Sequence, residues 1–349
     1  MEIDDWVEEV NGPKNKFGDF SNYRIDPNPI GSGGFSKVYR VQRDGRYYAM
    51  KIPTSIQVED TNTIKIEPSS IAEFKTEARN WALASKNVPD SVIQLIDYNT
   101  EPFPWMVMEL AEESYKDRLV ERKGTVQDII DILKGLDKVH SAGLIHRDLK
   151  PENILRVKNQ WKLTDFGLSK VMNSISISTS GIKGTPQYLA PEQISKKMFG
   201  NIDQRTDIWQ VGILLYETLT GKLPYPTVDF AELGMIIISD GPDLKSAPDR
   251  FVPILSKALC KDKEGRYQTA AEFANALIAL TAPDQNQPVP KEVAEPRHTY
   301  AVPETPVTKT ENPPASTARK GMFKTIAVTA IIFIVGFGIG YVIMQQFIS

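Results

Sequence analysis

Through the early part of the chain apolar residues recur at every second position; later they recur at every third or fourth, and the change of period divides the molecule. In "RYYAMKI" (residues 46–52) the alternation predicts a strand with Ala49 and Lys51 on one face and Tyr48 and Met50 on the other. "TVQDIIDILKGLDKVH" (residues 125–140) sets Val126, Ile129, Ile130, Leu133, Leu136 and Val139 on one stripe. Thr125-x-x-Asp128 precedes it, so the pattern predicts a helix opened by a capping box. "DIWQVGILLYETLTG" (residues 207–221) is apolar nearly all round and closes on Gly221 with Pro224 beyond, the pattern of a central buried helix with a glycine stop. Strands first and helices after predict an α+β body over residues 23–282, with a small β-rich lobe followed by a larger α-helical one.

Beyond that body the periodicity ends. Residues 283–324 are rich in Pro and polar residues, as in "PDQNQPVPKEVAEPRHTYAVPETPVTKTENPP", and read as a semi-stiff linker. From Thr325 to Ser349 there is no charged residue, and 325–344 is long and apolar enough for one C-terminal transmembrane helix, with 345–349 as a short extracytoplasmic tail. Arg319, Lys320 and Lys324 precede the span and no basic residue follows it. The positive-inside rule therefore predicts a single-pass protein of the cell membrane with residues 1–324 in the cytoplasm. Gly336 and Gly340 form a G-x-x-x-G pair through which two such spans could approach as a homodimer in the lipid bilayer. The first 22 residues open with the acidic "MEIDDWVEEV", which lacks the basic start and apolar run of a signal peptide and reads as an N-terminal arm.

Composition narrows the field. The 349 residues are 41% hydrophobic, and 41 basic against 44 acidic residues leave a net charge of -3. With no long run of Lys or Arg, nucleic acid is excluded as an expected partner. The single cysteine, Cys260, cannot form a disulfide within the chain and reads as a small apolar filler. His140 reads as helix packing and His298 as linker, neither in the company a metal site needs.

Four short motifs carry the chemistry. "IGSGGFSKV" (Ile30 to Val38) has the form of a phosphate-cradling loop with Ser36 where a third glycine would stand; alone it would fit any tight turn. "HRDLKPEN" (His146 to Asn153), "DFG" (Asp165 to Gly167) and "APE" (Ala190 to Glu192) follow in order. Together they resemble the eukaryotic-type protein kinases over about Tyr23 to Leu280. With a C-terminal span attached, the chain looks most like the bacterial membrane-anchored Ser/Thr kinases.

The resemblance implies a two-lobed protein kinase fold that uses ATP and Mg2+ and acts on Ser or Thr of protein substrates. ATP would be bound by the loop residues Ile30, Gly31, Ser32, Gly33, Gly34, Phe35, Ser36, Lys37 and Val38. Ala49, Leu155 and the hinge residues Glu109 and Ala111 would enclose the adenine behind a gatekeeper, Met108. Lys51 would hold the α and β phosphates, oriented by Glu77, for which Glu73 one turn earlier is the rival. Asp148 would accept the hydroxyl proton, Lys150 would touch the transferred phosphate, and Asn153 and Asp165 would hold the metal. By the same resemblance Phe166 packs on His146, Thr185 faces Asp148, Asp207 braces the catalytic loop, and Arg266 pairs with Glu192. Trp81 reads as core. Glu112, Glu113 and Glu152 lie near the expected peptide groove and would favour basic substrates.

Other classes remain to be weighed. A membrane-anchored pseudokinase scaffold would bind without turnover, but such chains usually lose one of Lys51, Asp148, Asn153 and Asp165, all present here. Small-molecule kinases share the aspartate loop and lack the "APE" segment. The hydroxyl-rich "SKVMNSISISTSGIKGT" (residues 169–185) predicts autophosphorylation, at Thr179 first and Ser178 next, where a phosphate could pair with Arg147; Thr305 and Thr308 in the linker are secondary sites.

Overall fold

The computed structural model describes residues 23–33, 36–53, 56–60, 63–66, 68–100, 104–166, 186–225 and 229–282. Five antiparallel strands form the first sheet, in the order β1-β2-β3-β7-β6. They are β1 (Arg24–Ser32), β2 (Ser36–Arg43), β3 (Arg46–Pro53), β6 (Leu95–Asn99) and β7 (Trp105–Glu109). The β2–β3 turn is Asp44-Gly45, with φ of 50° and 74°. Two successive positive φ values match the right-handed twist of the strands, which is why an Asp-Gly pair makes the turn. Both faces of β3 are covered: Ala49, Met50, Lys51 and Ile52 are all buried.

Between β3 and the first helix lies a two-stranded hairpin, β4 (Ile56–Asp60) and β5 (Thr63–Ile66), in the register Ile56↔Ile66 and Val58↔Ile64. Helix α1 (Pro68–Asn87) follows. Its buried positions Phe74, Glu77, Ala78, Trp81 and Ala84 recur at helical spacing, so a carboxylate shares the stripe that packs on the sheet.

After β7 the chain passes through Leu110 and Ala111 into β8 (Glu113–Ser114), which joins β9 (Ile154–Val157) and β10 (Gln160–Leu163) in a second sheet. Helices make up the rest: α2 (Tyr115–Val120), α3 (Val126–Ser141), α4 (Pro191–Ile194), α5 (Lys196–Phe199), α6 (Gln204–Thr220), α7 (Phe230–Ser239), α8 (Val252–Ala258) and α9 (Ala270–Thr281). The architecture is thus a β-sheet lobe followed by a helical lobe. Helix α3 starts at the Thr125/Asp128 capping box, and the stripe it buries includes Ile132 along with the expected Ile129, Ile130, Leu133, Leu136 and Val139, while Val126, in the first turn, is only partly buried.

Helix α6 is the axis of the helical lobe. All residues from Thr206 to Tyr216 are buried, and each large aliphatic side chain so removed from water contributes about 1.5–3 kcal/mol. The Asp203 side chain accepts from the Arg205 N–H at its start, and Gly221 ends it in the left-handed region at φ 67°. At Gly212 a Cβ would fall 2.8 Å from Leu259 Cδ2 and 3.1 Å from Ala258 Cβ, so only glycine lets α8 lie this close.

No helix among the described residues is long and apolar enough to cross a membrane. The 325–344 segment with Gly336 and Gly340, the linker with His298, Thr305 and Thr308, the N-terminal arm, and Thr179, Ser178 and Thr185 lie outside the described residues, as do Gly34 and Phe35.

Candidate active site

One ammonium meets two carboxylates at the mouth between the lobes. Lys51 Nζ, from β3, lies 2.5 Å from Glu77 Oε1 on α1 and 2.7 Å from Asp165 Oδ1 on the segment after β10. The partner of Lys51 on α1 is therefore Glu77; the side chain of its rival Glu73 lies outside the description. Burial alone would lower the Lys51 pKa, but the charges of Asp165 and Glu77 outweigh it and raise it. Burial raises Glu77 to about 7, and the like charge of Asp165 adds to the rise against the pull of Lys51. Trp81, one turn beyond Glu77, places its ring 6.0 Å from Lys51 Nζ and donates Nε1–H to the Ile93 carbonyl at 2.8 Å. That bond fixes α1 to the chain entering β6 and gives Trp81 a role beyond filling the core.

A second group forms the floor. Lys150 Nζ donates to Asp148 Oδ2 at 2.8 Å, and Asn153 Nδ2 donates to the Asp148 carbonyl at 2.8 Å and to its Oδ2 at 3.1 Å. The Asn153 amide nitrogen is thereby turned toward Asp148, so its oxygen is the side-chain atom that could ligate a metal. Burial works to lower Lys150, yet Asp148 foremost, then Asp165, raise it, so the two groups already feel each other. The Asp148 side chain is 47% exposed, within reach of an incoming hydroxyl.

The loop carrying Asp148 is held by its backbone. The buried Asp207 carboxylate, at the start of α6, accepts from the N–H groups of His146 (2.9 Å) and Arg147 (2.7 Å). Its third donor is His140 Nε2 at 2.8 Å. His140 is thus part of the brace and not simply helix packing. His146 donates Nε2–H to the Thr164 carbonyl at 2.8 Å, and its ring lies 4.8 Å from the fully buried Phe166. Arg147 and Asp165 sit at φ 69° and 66°, left-handed conformations that cost a non-glycine residue on the order of 1 kcal/mol or more and that functional sites retain.

Below the loop, Arg266 grips Glu192 with two parallel bonds of 2.8 Å, both side chains fully buried. Thr206 Oγ1 donates to Glu192 at 2.6 Å, and Arg266 also donates to the carbonyls of Cys260, Arg205 and Lys261. Cys260 itself is only half-buried.

Above the mouth, the Ile30–Ser32 end of β1 pairs with Lys37 and Val38 on β2, and the Gly33 N–H closes the turn on the Ser36 carbonyl at 2.8 Å. A Cβ on Gly31 would meet only Val38, at 3.7 Å, and one on Gly33 only the Ser36 carbonyl, at 3.7 Å. Neither has a left-handed φ. The chain's own packing therefore does not require glycine there. Ala49 and Met108 face each other across β3 and β7, with Val38, Leu110, Ala111 and Leu155 packed around them. Glu109, at the lobe connection, receives Lys162 Nζ at 2.7 Å and the Gln94 N–H at 2.9 Å.

The acidic side chains expected to meet a basic peptide are engaged within the chain. Glu113 pairs with Arg156 at 2.7 Å, Glu112 accepts from the Lys158 N–H, and Glu152 pairs with Lys116 at 3.2 Å. Among the described residues no group of three His, Cys, Asp or Glu could hold a metal ion by itself. Asn153 and Asp165 offer hard oxygen donors, the set Mg2+ takes together with substrate phosphates.

A family model described as "Protein kinase domain" matches residues 25–277. The chain is 32% identical over 286 residues to the serine/threonine-protein kinase PknL of Mycobacterium tuberculosis, a match covering 77% of this chain and 69% of that one. It is 31% identical over 272 residues to PknB of the same species, covering 72% of this chain and 42% of the relative. A probable serine/threonine-protein kinase PknB of Bifidobacterium longum is 29% identical over 274 residues, 71% of this chain and 38% of the relative.

Proposed function

Because the chain belongs to the protein kinase family, we propose that it transfers the γ-phosphoryl group of ATP to Ser and Thr hydroxyls of protein substrates. The observation that carries this reading is the convergence of Lys51, Glu77 and Asp165 above Asp148, Lys150 and Asn153. Phosphoryl transfer asks mainly for alignment and charge neutralisation, and this is the inventory it needs. Lys51 binds the α and β phosphates, and Gly31 and Gly33 leave room for backbone N–H groups to approach them. Ala49, Leu155 and the Glu109–Ala111 connection enclose the adenine. The substrate oxygen bonds to the γ phosphorus as the β–γ bridge breaks; Asp148 takes the hydroxyl proton and Lys150 meets the transferred phosphate. Mg2+ held by Asn153 and Asp165 supplies neutralisation of phosphate charge. The names of the relatives and Lys150, two residues after Asp148, support Ser and Thr as the acceptors.

The test is the purified full chain with Mg-ATP and a mixed peptide library. Phosphoserine and phosphothreonine are expected, and Asp148→Asn should slow transfer on the order of a hundredfold or more. Phosphotyrosine alone would overturn the acceptor assignment; nucleotide binding without transfer would favour the scaffold.

The proposal extends to the remaining chain. Residues 325–344 anchor the kinase in the membrane, and Gly336 and Gly340 pair two copies so that autophosphorylation between them, at Thr179 foremost, is favoured by their raised effective concentration. Uncharged sequence with basic residues on one side supports the anchor. Alkaline extraction of membranes tests it, and replacing both glycines with Ile should slow autophosphorylation at low surface density.

A further inference from the structure

Two buried glutamines hold the peptide groups on either side of Asp148. Gln210, in the middle of α6 and 1% exposed, accepts the Leu149 N–H on Oε1 at 2.8 Å. Its Nε2 donates to the Arg147 carbonyl at 2.9 Å and to Gln193 Oε1 at 3.1 Å. Gln193, on α4 and 5% exposed, donates Nε2 to the same Arg147 carbonyl at 2.8 Å and accepts the Ala190 N–H at 3.0 Å. Each amide oxygen faces N–H groups and each amide nitrogen faces carbonyl or amide oxygen, so the orientation of both side chains is fixed.

Asp207 and Gln210 stand at i and i+3 on one face of α6. Asp207 takes the N–H groups of His146 and Arg147, whereas Gln210 takes the carbonyl before Asp148 and the N–H after it. Arg147, between them, is held in a left-handed conformation that it would not keep unaided. A buried hydrogen-bonded network specifies geometry, and here it fixes the backbone while Lys150 and Asn153 hold the Asp148 carboxylate itself.

We infer that Gln210, backed by Gln193, is a positioning residue for phosphoryl transfer: it sets the backbone on both sides of Asp148, and so the direction of its carboxylate, and ties that backbone to the Ala190 turn. The inference rests on the kinase reading above. In the full chain, Gln210→Met is expected to lower kcat about ten- to hundredfold while KM for ATP and the Kd of Mg-ATP stay within about twofold. Amide exchange at Leu149 should speed up by about tenfold, the equivalent of one lost hydrogen bond. Gln210→Glu keeps the acceptor for Leu149 and, protonated in this buried place, at most one of the two donors, so it should retain Leu149 protection with an intermediate kcat. Gln193→Met, nearer the surface, should lower kcat less and serves as the variant if Gln210→Met does not fold. Parental kcat in both Met variants would overturn the inference, and so would a kcat loss matched by equal weakening of Mg-ATP binding. A parent chain without transfer would count against the kinase reading instead; Leu149 exchange would then decide the clamp by itself, and unchanged exchange in Gln210→Met would end it.

Discussion

The helical lobe and the sheet lobe handle buried charge in opposite ways. In the helical lobe one guanidinium, Arg266, meets one carboxylate, Glu192, in two parallel bonds, and Thr206 and three carbonyls take up the remaining capacity. In the sheet lobe one ammonium, Lys51, is shared between two carboxyl groups, Glu77 and Asp165, and burial beside Asp165 pushes Glu77 up to about 7. A balanced pair holds a shape. A shared ammonium leaves neither carboxyl group with a cation of its own. The comparison teaches that a one-to-one pair and a shared ammonium are different uses of buried charge.

Substituting the glutamate on each side puts this to the test. Glu192→Gln leaves Arg266 charged and buried without its partner and should cost about 3–5 kcal/mol of stability, read by denaturant unfolding; a loss under about 1 kcal/mol would contradict the frame role. Glu77→Gln instead leaves Lys51 paired with Asp165 alone. Stability should fall by less than in Glu192→Gln, because Lys51 keeps Asp165 as a partner, while the transfer rate falls about ten- to hundredfold because the lysine loses its orientation. Thr206→Val keeps the shape of the side chain and removes one bond to the Glu192 carboxylate, for an expected loss of about 1.5–2 kcal/mol in the same unfolding measurement. Trp81→Phe keeps a ring on α1 but frees the Ile93 carbonyl. It should cost about 1 kcal/mol and quicken amide exchange along α1, with no effect on exchange in α6.

Sequence alone revealed the parts whose causes are local. The Thr125/Asp128 box, the Gly221 stop and the stripe on α3 each depend on residues within one or two turns; the motif residues were legible only by resemblance, since Lys51 meets Glu77 across 26 residues and Asp165 across 114. The hairpin β4–β5 had a signal, Ile56 and Val58 alternating before a polar turn and Ile64 and Ile66 after it, but its two strands are short and precede a helix. His140 lay on an apolar helix face, and nothing nearby announced Asp207, 67 residues on. Gln193 and Gln210 belong to no periodic pattern and find their partners across 46 and 63 residues. What stayed hidden was the polar wiring that only a finished fold brings together.

Trp81 also gives the site an optical signal of its own. Its indole lies 6.0 Å from the Lys51 ammonium, while Trp209 is held under Arg266 at 5.0 Å and Trp161 lies 5.7 Å from each of Arg118 and Arg156. An indole's excited state shifts with the charge beside it, so when nucleotide changes the charge around Lys51 the emission of Trp81 should move, and the Phe variant separates that signal from the chain's other four tryptophans, Trp6, Trp105, Trp161 and Trp209. Lysine engagement can then be followed in unlabelled protein on the stopped-flow timescale, with the Phe variant as the blank.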